Sequence, residues 1–71
     1  NSSISNIINK GTLKIFADVT ITNQNGNLFT NDKIIYNYGN IICYQINNNA
    51  GSEINNYNNI IINNTYSNLG T

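Results

Sequence analysis

Gly11-Thr-Leu-Lys-Ile-Phe-Ala-Asp-Val-Thr-Ile-Thr-Asn23 alternates more cleanly than any other part of this 71-residue chain. Leu13, Ile15, Ala17, Val19 and Ile21 fall on one parity, and Thr12, Lys14, Phe16, Asp18, Thr20 and Thr22 on the other. Successive side chains of a strand point to opposite faces, so this pattern predicts a strand with one buried and one wetter face. Gly11 opens it and the turn-forming Asn23-Gln-Asn-Gly26 closes it. Ten residues is long for one face of a coiled sheet, so the strand must bend near Ala17-Asp18 or belong to an antiparallel sandwich.

Outward from this stretch the chain keeps to short strands and turns. Gly11-Thr-Leu, Gly26-Asn-Leu, Gly39-Asn-Ile and Gly51-Ser-Glu-Ile each set a Gly and a small polar residue before an apolar one, and Gly70-Thr71 starts the same way. Between them lie Ile34-Ile-Tyr-Asn-Tyr38, Ile41-Ile-Cys-Tyr-Gln-Ile46 and Ile60-Ile-Ile62, rich in strand formers. Ile15, Ile35 and Ile54 recur about 20 residues apart, as do Ile21, Ile41 and Ile61, and Gly11, Asn31 and Gly51. One coil of a parallel β-solenoid gives such a recurrence, with Ile stacked on Ile inside and Asn laddered at the corners. The expected fold is all-β, with short strands in a parallel β-solenoid-like stack; an antiparallel β-sandwich or jelly roll is the alternative. Residues 1–10 read as an N-terminal arm or linker, and residues 11–71 as a single β domain.

Gly39-Asn-Ile-Ile, Ile54-Asn-Asn-Tyr-Asn-Asn-Ile60 and Ile61-Ile-Asn-Asn64 carry a resemblance that covers roughly residues 26–64. They resemble the Asn-rich repeats of β-solenoid surface proteins: adhesins, autotransporter-like passengers and fibre proteins. The resemblance implies an extracellular place, on a cell or virion surface, and a role in adhesion or fibre building.

Composition narrows the function. Domains this small hold only about 3–5 kcal/mol in their cores without a staple. A single cysteine, Cys43, rules out an internal disulfide, and the absence of His rules out an ordinary zinc site. Assembly with copies of itself, or membership of a longer structure, remains. Charged residues make up 8% of the chain and sum to zero, with no Arg and no Pro. Near-zero charge favours association, and the Lys and Pro that guard sheet edges are scarce or missing. Three scattered Lys make no phosphate-binding patch, so nucleic acid is not an expected partner. No apolar run approaches the roughly 18–20 residues of a membrane-spanning helix.

An enzyme is not expected. Proton transfer near neutral pH most often uses His, and Asp18, Asp32 and Glu53 are isolated carboxylates without Arg or His support. No cofactor is expected, and no metal. The calcium-like spacing of Asn23, Asn25, Gly26 and Asp32 starts at Ile21, which cannot ligate, and reads as a turn. Cys43, between Ile42 and Tyr44, reads as a small buried hydrophobe; a cross-link between subunits is its alternative. Tyr36, Tyr38, Tyr44, Tyr57 and Tyr66 are the candidate contact residues. A Tyr row beside Asn amides suits subunit packing, and it also suits a glycan, whose faces stack on rings and whose hydroxyls bond amides. The expected function is therefore a self-assembling structural subunit of a fibre, sheath or surface layer, joined through strand edges and Ile/Tyr faces. A carbohydrate-binding adhesin segment using a Tyr/Asn face is the alternative.

Overall fold

The alternating stretch is a strand that turns a corner. A computed structural model of the chain describes residues 6–71, without the side chains of Gln24 and Asn25. Thr12–Ile15 form one strand and Thr20–Asn31 another, with Phe16–Val19 bending between them. Leu13 and Ile21 are half-buried and Ile15 is buried, whereas Val19 sits on the outside of the corner. The bend thus falls where the strand would otherwise outrun one face.

Seven strands follow in chain order: β1 (Ile7–Asn9), β2 (Thr12–Ile15), β3 (Thr20–Asn31), β4 (Ile34–Asn37), β5 (Asn40–Asn48), β6 (Glu53–Asn56) and β7 (Asn59–Asn68). They make one sheet in the order β1-β3-β5-β7 and another in the order β2-β4-β6, and every pair is parallel. Parallel neighbours need a long return connection, and here the rest of each coil supplies it. The result is a β-solenoid of about three turns, which excludes the antiparallel sandwich. Of the expected N-terminal arm, Ile7–Asn9 pair with Phe29–Asn31 as β1, and residues 1–5 lie outside the described residues.

β3 and β5 each break register once, between Asn23 and Leu28 and between Cys43 and Gln45. These breaks turn each long strand through a corner, so a coil has three short faces. The expected turn at Asn23-Gln-Asn-Gly26 is one such corner inside β3, with Gly26 at φ 80°.

Side chains stack in columns along the solenoid. Leu13, Ile35 and Ile54 form one inner column, Ile21, Ile41 and Ile60 a second, and Ile7, Phe29, Ile46 and Tyr66 a third. The buried core is Ile15, Phe29, Ile35, Ile41, Cys43 and Ile46, all from β2 to β5. The even 20-residue spacing is corrected here: Leu13, not Ile15, lies under Ile35, and Ile60, not Ile61, lies on Ile41. Gly11, Asn31 and Gly51 are not a column. The stacked Asn side chains of one corner lie 22, 17 and 20 residues apart, because corners differ in length from coil to coil.

Those corners carry the polar interior. Asn9, Asn31, Asn48 and Asn68 stack in register, and the Nδ2 of each of the first three donates to the Oδ1 of the next at 2.8 Å. Asn37 and Asn56 make a second, shorter ladder at 2.8 Å. Each amide also bonds turn backbone: Asn31 Nδ2 donates to Glu53 O, and Asn37 Oδ1 accepts from Gly39 N. Asn31, Asn37 and Asn48 are fully buried, so these bonds satisfy groups that water cannot reach. Gly39 fits where it does because the corner beneath it is close: any Cβ would strike the carbonyls of Phe16 and Val19. At the next wide corner Gly51 takes φ 83°, a conformation other residues rarely adopt.

Candidate assembly interface

A solenoid closes its core sideways but not at its ends. At the upper end β6 and β7 are the outermost strands of their sheets. Their inward side chains belong to the same columns as the core, but nothing stacks on them among the described residues. Ile54, Ile60 and Ile62 are accordingly half-buried, and Tyr66 is 49% exposed. Together with Ile46 and Asn56 they line an open hollow of about 250 Å³. In the coil below, Ile35, Ile41 and Ile46 occupy the same columns and are buried. The hollow is the upper, unfinished surface of the core.

The lower end mirrors it. β2 and the first half of β3, Thr20–Asn23, form the bottom of their columns, with Leu13 and Ile21 half-buried. β1 lies beneath the second half of β3. The Asn ladder gives the two ends opposite hydrogen-bonding character. Asn68 accepts from Asn48 at the top, and its own Nδ2 has no partner among the described residues. Asn9 at the bottom donates upward through Nδ2, and its Oδ1 is met by the Gly11 N–H at 3.4 Å. The top therefore offers a donor where the bottom offers an acceptor.

An aromatic column runs up one outer corner. Tyr38 N donates to Ile15 O and Tyr57 N to Asn37 O, which sets Phe16, Tyr38 and Tyr57 one above another. The Tyr38 and Tyr57 rings stack, with centroids 4.8 Å apart and planes at 10°. Lys14 Nζ lies 5.4 Å from the centres of both the Phe16 and Tyr38 rings, a geometry in which the ring faces attract the cation. Phe16 and Tyr57, at the two ends of the column, are 62% and 61% exposed.

The five candidate tyrosines thus do not share one row. Tyr38 and Tyr57 come together in the aromatic column. Tyr66 borders the end hollow. Tyr36 is half-buried in β4 between Lys14 and Asn55, and Tyr44 is half-buried at the register break of β5. Phe16 and Lys14 belong with Tyr38 but were hidden in the sequence by the longer first coil. Lys14-Ile-Phe16, Tyr36-Asn-Tyr38 and Asn55-Asn-Tyr57 match in register, and aligning those triplets exposes the column.

Cys43 lies inside the middle coil, with none of its surface exposed, between Asn23 and Ile62 in its column. Its Sγ is 3.8 Å from Ile61 O. Burial pushes the thiol up to about 11, which keeps it protonated at neutral pH. A buried, protonated sulfur packs as a small apolar group and does not present itself for a cross-link.

Among the described residues no three of His, Cys, Asp and Glu gather at one place, and no helix is long and apolar enough to cross a membrane. No family model matches the chain, and neither does any curated protein or solved structure.

Proposed function

We propose that this protein is a non-enzymatic structural subunit that builds a fibre, sheath or surface layer outside the cell by stacking copies end to end. The unfinished core surface at the upper end carries this reading: Ile54, Ile60, Ile62 and Tyr66 are positioned as core residues and left half in water. Outermost parallel strands at both ends supply unpaired backbone groups for further strands. Low charge and zero net charge remove the repulsion that keeps small domains apart.

The test is light scattering on size-separated protein over a concentration series. The native chain should grow beyond 7.9 kDa as concentration rises. Ile62→Lys puts a charge in the hollow, directly above Cys43 of the middle coil, and the folded variant, checked by circular dichroism, should remain at monomer mass. A native chain that stays monomeric at millimolar concentration defeats the proposal.

A second reading rests on the Phe16-Tyr38-Tyr57 column. Exposed ring faces beside Asn58 and Asn55 amides suit the stacking and hydroxyl bonding of a sugar. Binding across a broad glycan array, lost in Tyr57→Ala, would support a glycan-binding surface, and silence across the array would remove it.

A further inference from the structure

We propose that copies join by strand exchange: β1 leaves its own molecule, and Thr65–Asn68 of the neighbour below takes its place under β3. The inference rests on the end-to-end reading above and specifies its junction.

Thr71 N donates to Ser52 O and Ile54 N donates to Thr71 O, both at 2.9 Å, so Thr71 stands on Glu53 as Glu53 stands on Ile34 and Ile34 on Thr12. From Thr12 to Thr71 the chain therefore completes whole turns. β1 is a surplus strand added beneath them, in the same column of strands that Thr65–Asn68 ends at the top.

When β2 of an upper copy settles on β6 of a lower one, the level above Gln45–Asn48 is claimed twice. The lower copy's own Thr65–Asn68 already fills it, and the upper copy's β1 would have to share it. β1 is the weaker claimant. It pairs along three residues, with Ile7 half-buried and Ile8 60% exposed, and is held besides by Leu28 N to Asn6 Oδ1, Asp32 N to Asn9 O and Asn9 Nδ2 to Ile34 O. Thr65–Asn68 is part of the ten-residue β7 and is tied down beyond it by Leu69 N to Asn48 O and by Thr71. β1 and the Lys10–Thr12 link yield.

The exchange fits residue by residue. Tyr66 replaces Ile7 beneath Phe29, and Asn68 replaces Asn9 beneath Asn31. The Asn68 amide, whose Nδ2 meets no partner among the described residues, then donates to Asn31 Oδ1 as Asn9 did. Phe16 of the upper copy lands on the open face of Tyr57. Lys14 lands over Asn55, diagonally beside Glu53, whose carboxylate already bonds that amide; opposite charges in this relation attract. A second copy is thus favoured as the occupant by charge as well as by shape.

A covalent lock tests it. Ile8 and Thr30 are register partners on adjacent strands, within the separation a disulfide spans. In a Cys43→Ala background, Ile8→Cys with Thr30→Cys ties β1 to β3 when oxidised and frees it when reduced. The reduced protein should assemble like the Cys43→Ala parent. The oxidised protein should need a concentration at least about tenfold higher. Equal assembly of the two forms overturns strand exchange and leaves end-to-end stacking standing; a parent that never assembles overturns both. Ile7→Asp, which loosens β1, should lower the assembling concentration, and a raised one counts against exchange. The axial rise per copy in electron cryo-microscopy separates the junctions independently. Exchange adds three strand layers, about 14 Å, whereas a retained β1 adds a fourth, about 19 Å, and overturns the proposal.

Discussion

At Asn31 one buried amide ties three coils together. Its Oδ1 accepts from Asn9 Nδ2 below, and its Nδ2 donates to Asn48 Oδ1 and Glu53 O above, all at 2.8 Å. Asn31→Leu keeps the branched shape and removes all three bonds: Glu53 O loses its amide donor, while Asn9 Nδ2 keeps Gly11 O and Ile34 O and Asn48 Oδ1 keeps Ser52 Oγ. A buried polar group left without a partner costs about 1–3 kcal/mol, so urea unfolding should show a loss of about 3 kcal/mol. Asn58→Ala removes an exposed amide whose one side-chain bond, to Tyr38 O, is 3.5 Å long, and it should cost less than about 0.5 kcal/mol. Equal costs would mean that the ladder contributes nothing special. Cys43 makes a prediction of opposite kind. Its thiol ionises near 9 when unfolded and at about 11 when folded, because burial disfavours the thiolate. The folded state then holds the proton more tightly between these values. Stability from this group is complete below about pH 9 and is lost as pH rises towards 11, by something of order 2 kcal/mol. Stability measured across pH 8–11 should fall more steeply in the native chain than in Cys43→Ala, and parallel profiles would contradict this.

Corners, more than strands, set the register of each element. Gly39 lies against the carbonyls of Phe16 and Val19, whereas Gly11 has open space where a Cβ would go. Gly39→Ala should therefore cost about 1–3 kcal/mol or prevent folding, and Gly11→Ala should change stability by less than about 0.5 kcal/mol, both read by urea unfolding. The same contrast explains what could be read from the sequence. Alternation in Leu13, Ile15 and Ile21 marks an inner face however the chain is coiled, and the Gly-plus-polar units mark where faces end. Recurrence near 20 residues pointed to parallel coils, and corner Asn to an amide ladder. Register was beyond reach, because the Phe16–Val19 corner is wide while Tyr38-Gly39 is narrow, and no local residue preference reveals that difference. The misplaced register also scattered the candidate site: Tyr38 and Tyr57 sit one coil apart, but Tyr36 and Tyr44 lie away from their column. Phe16, the third ring of the column, went unnoticed because its coil is the longer one.

Among the described residues the coils form a short stack, with β6 and β7 outermost at one end and β1 and β2 at the other. Its middle coil buries Ile35, Ile41, Cys43 and Ile46, while the same columns at the top stand half in water. A chain with 8% charged residues and no net charge has little to hold such ends apart. Joining end to end extends the molecule along one axis and leaves its cross-section unchanged. Small-angle X-ray scattering over a concentration series reads both quantities at once. End-to-end stacking predicts scattering from rods that lengthen with concentration at a constant cross-sectional radius, starting from a single copy whose Cα radius of gyration is 10.9 Å. A radius of gyration that stays close to that of one copy at every concentration, or growth that thickens the particle instead of lengthening it, would contradict it.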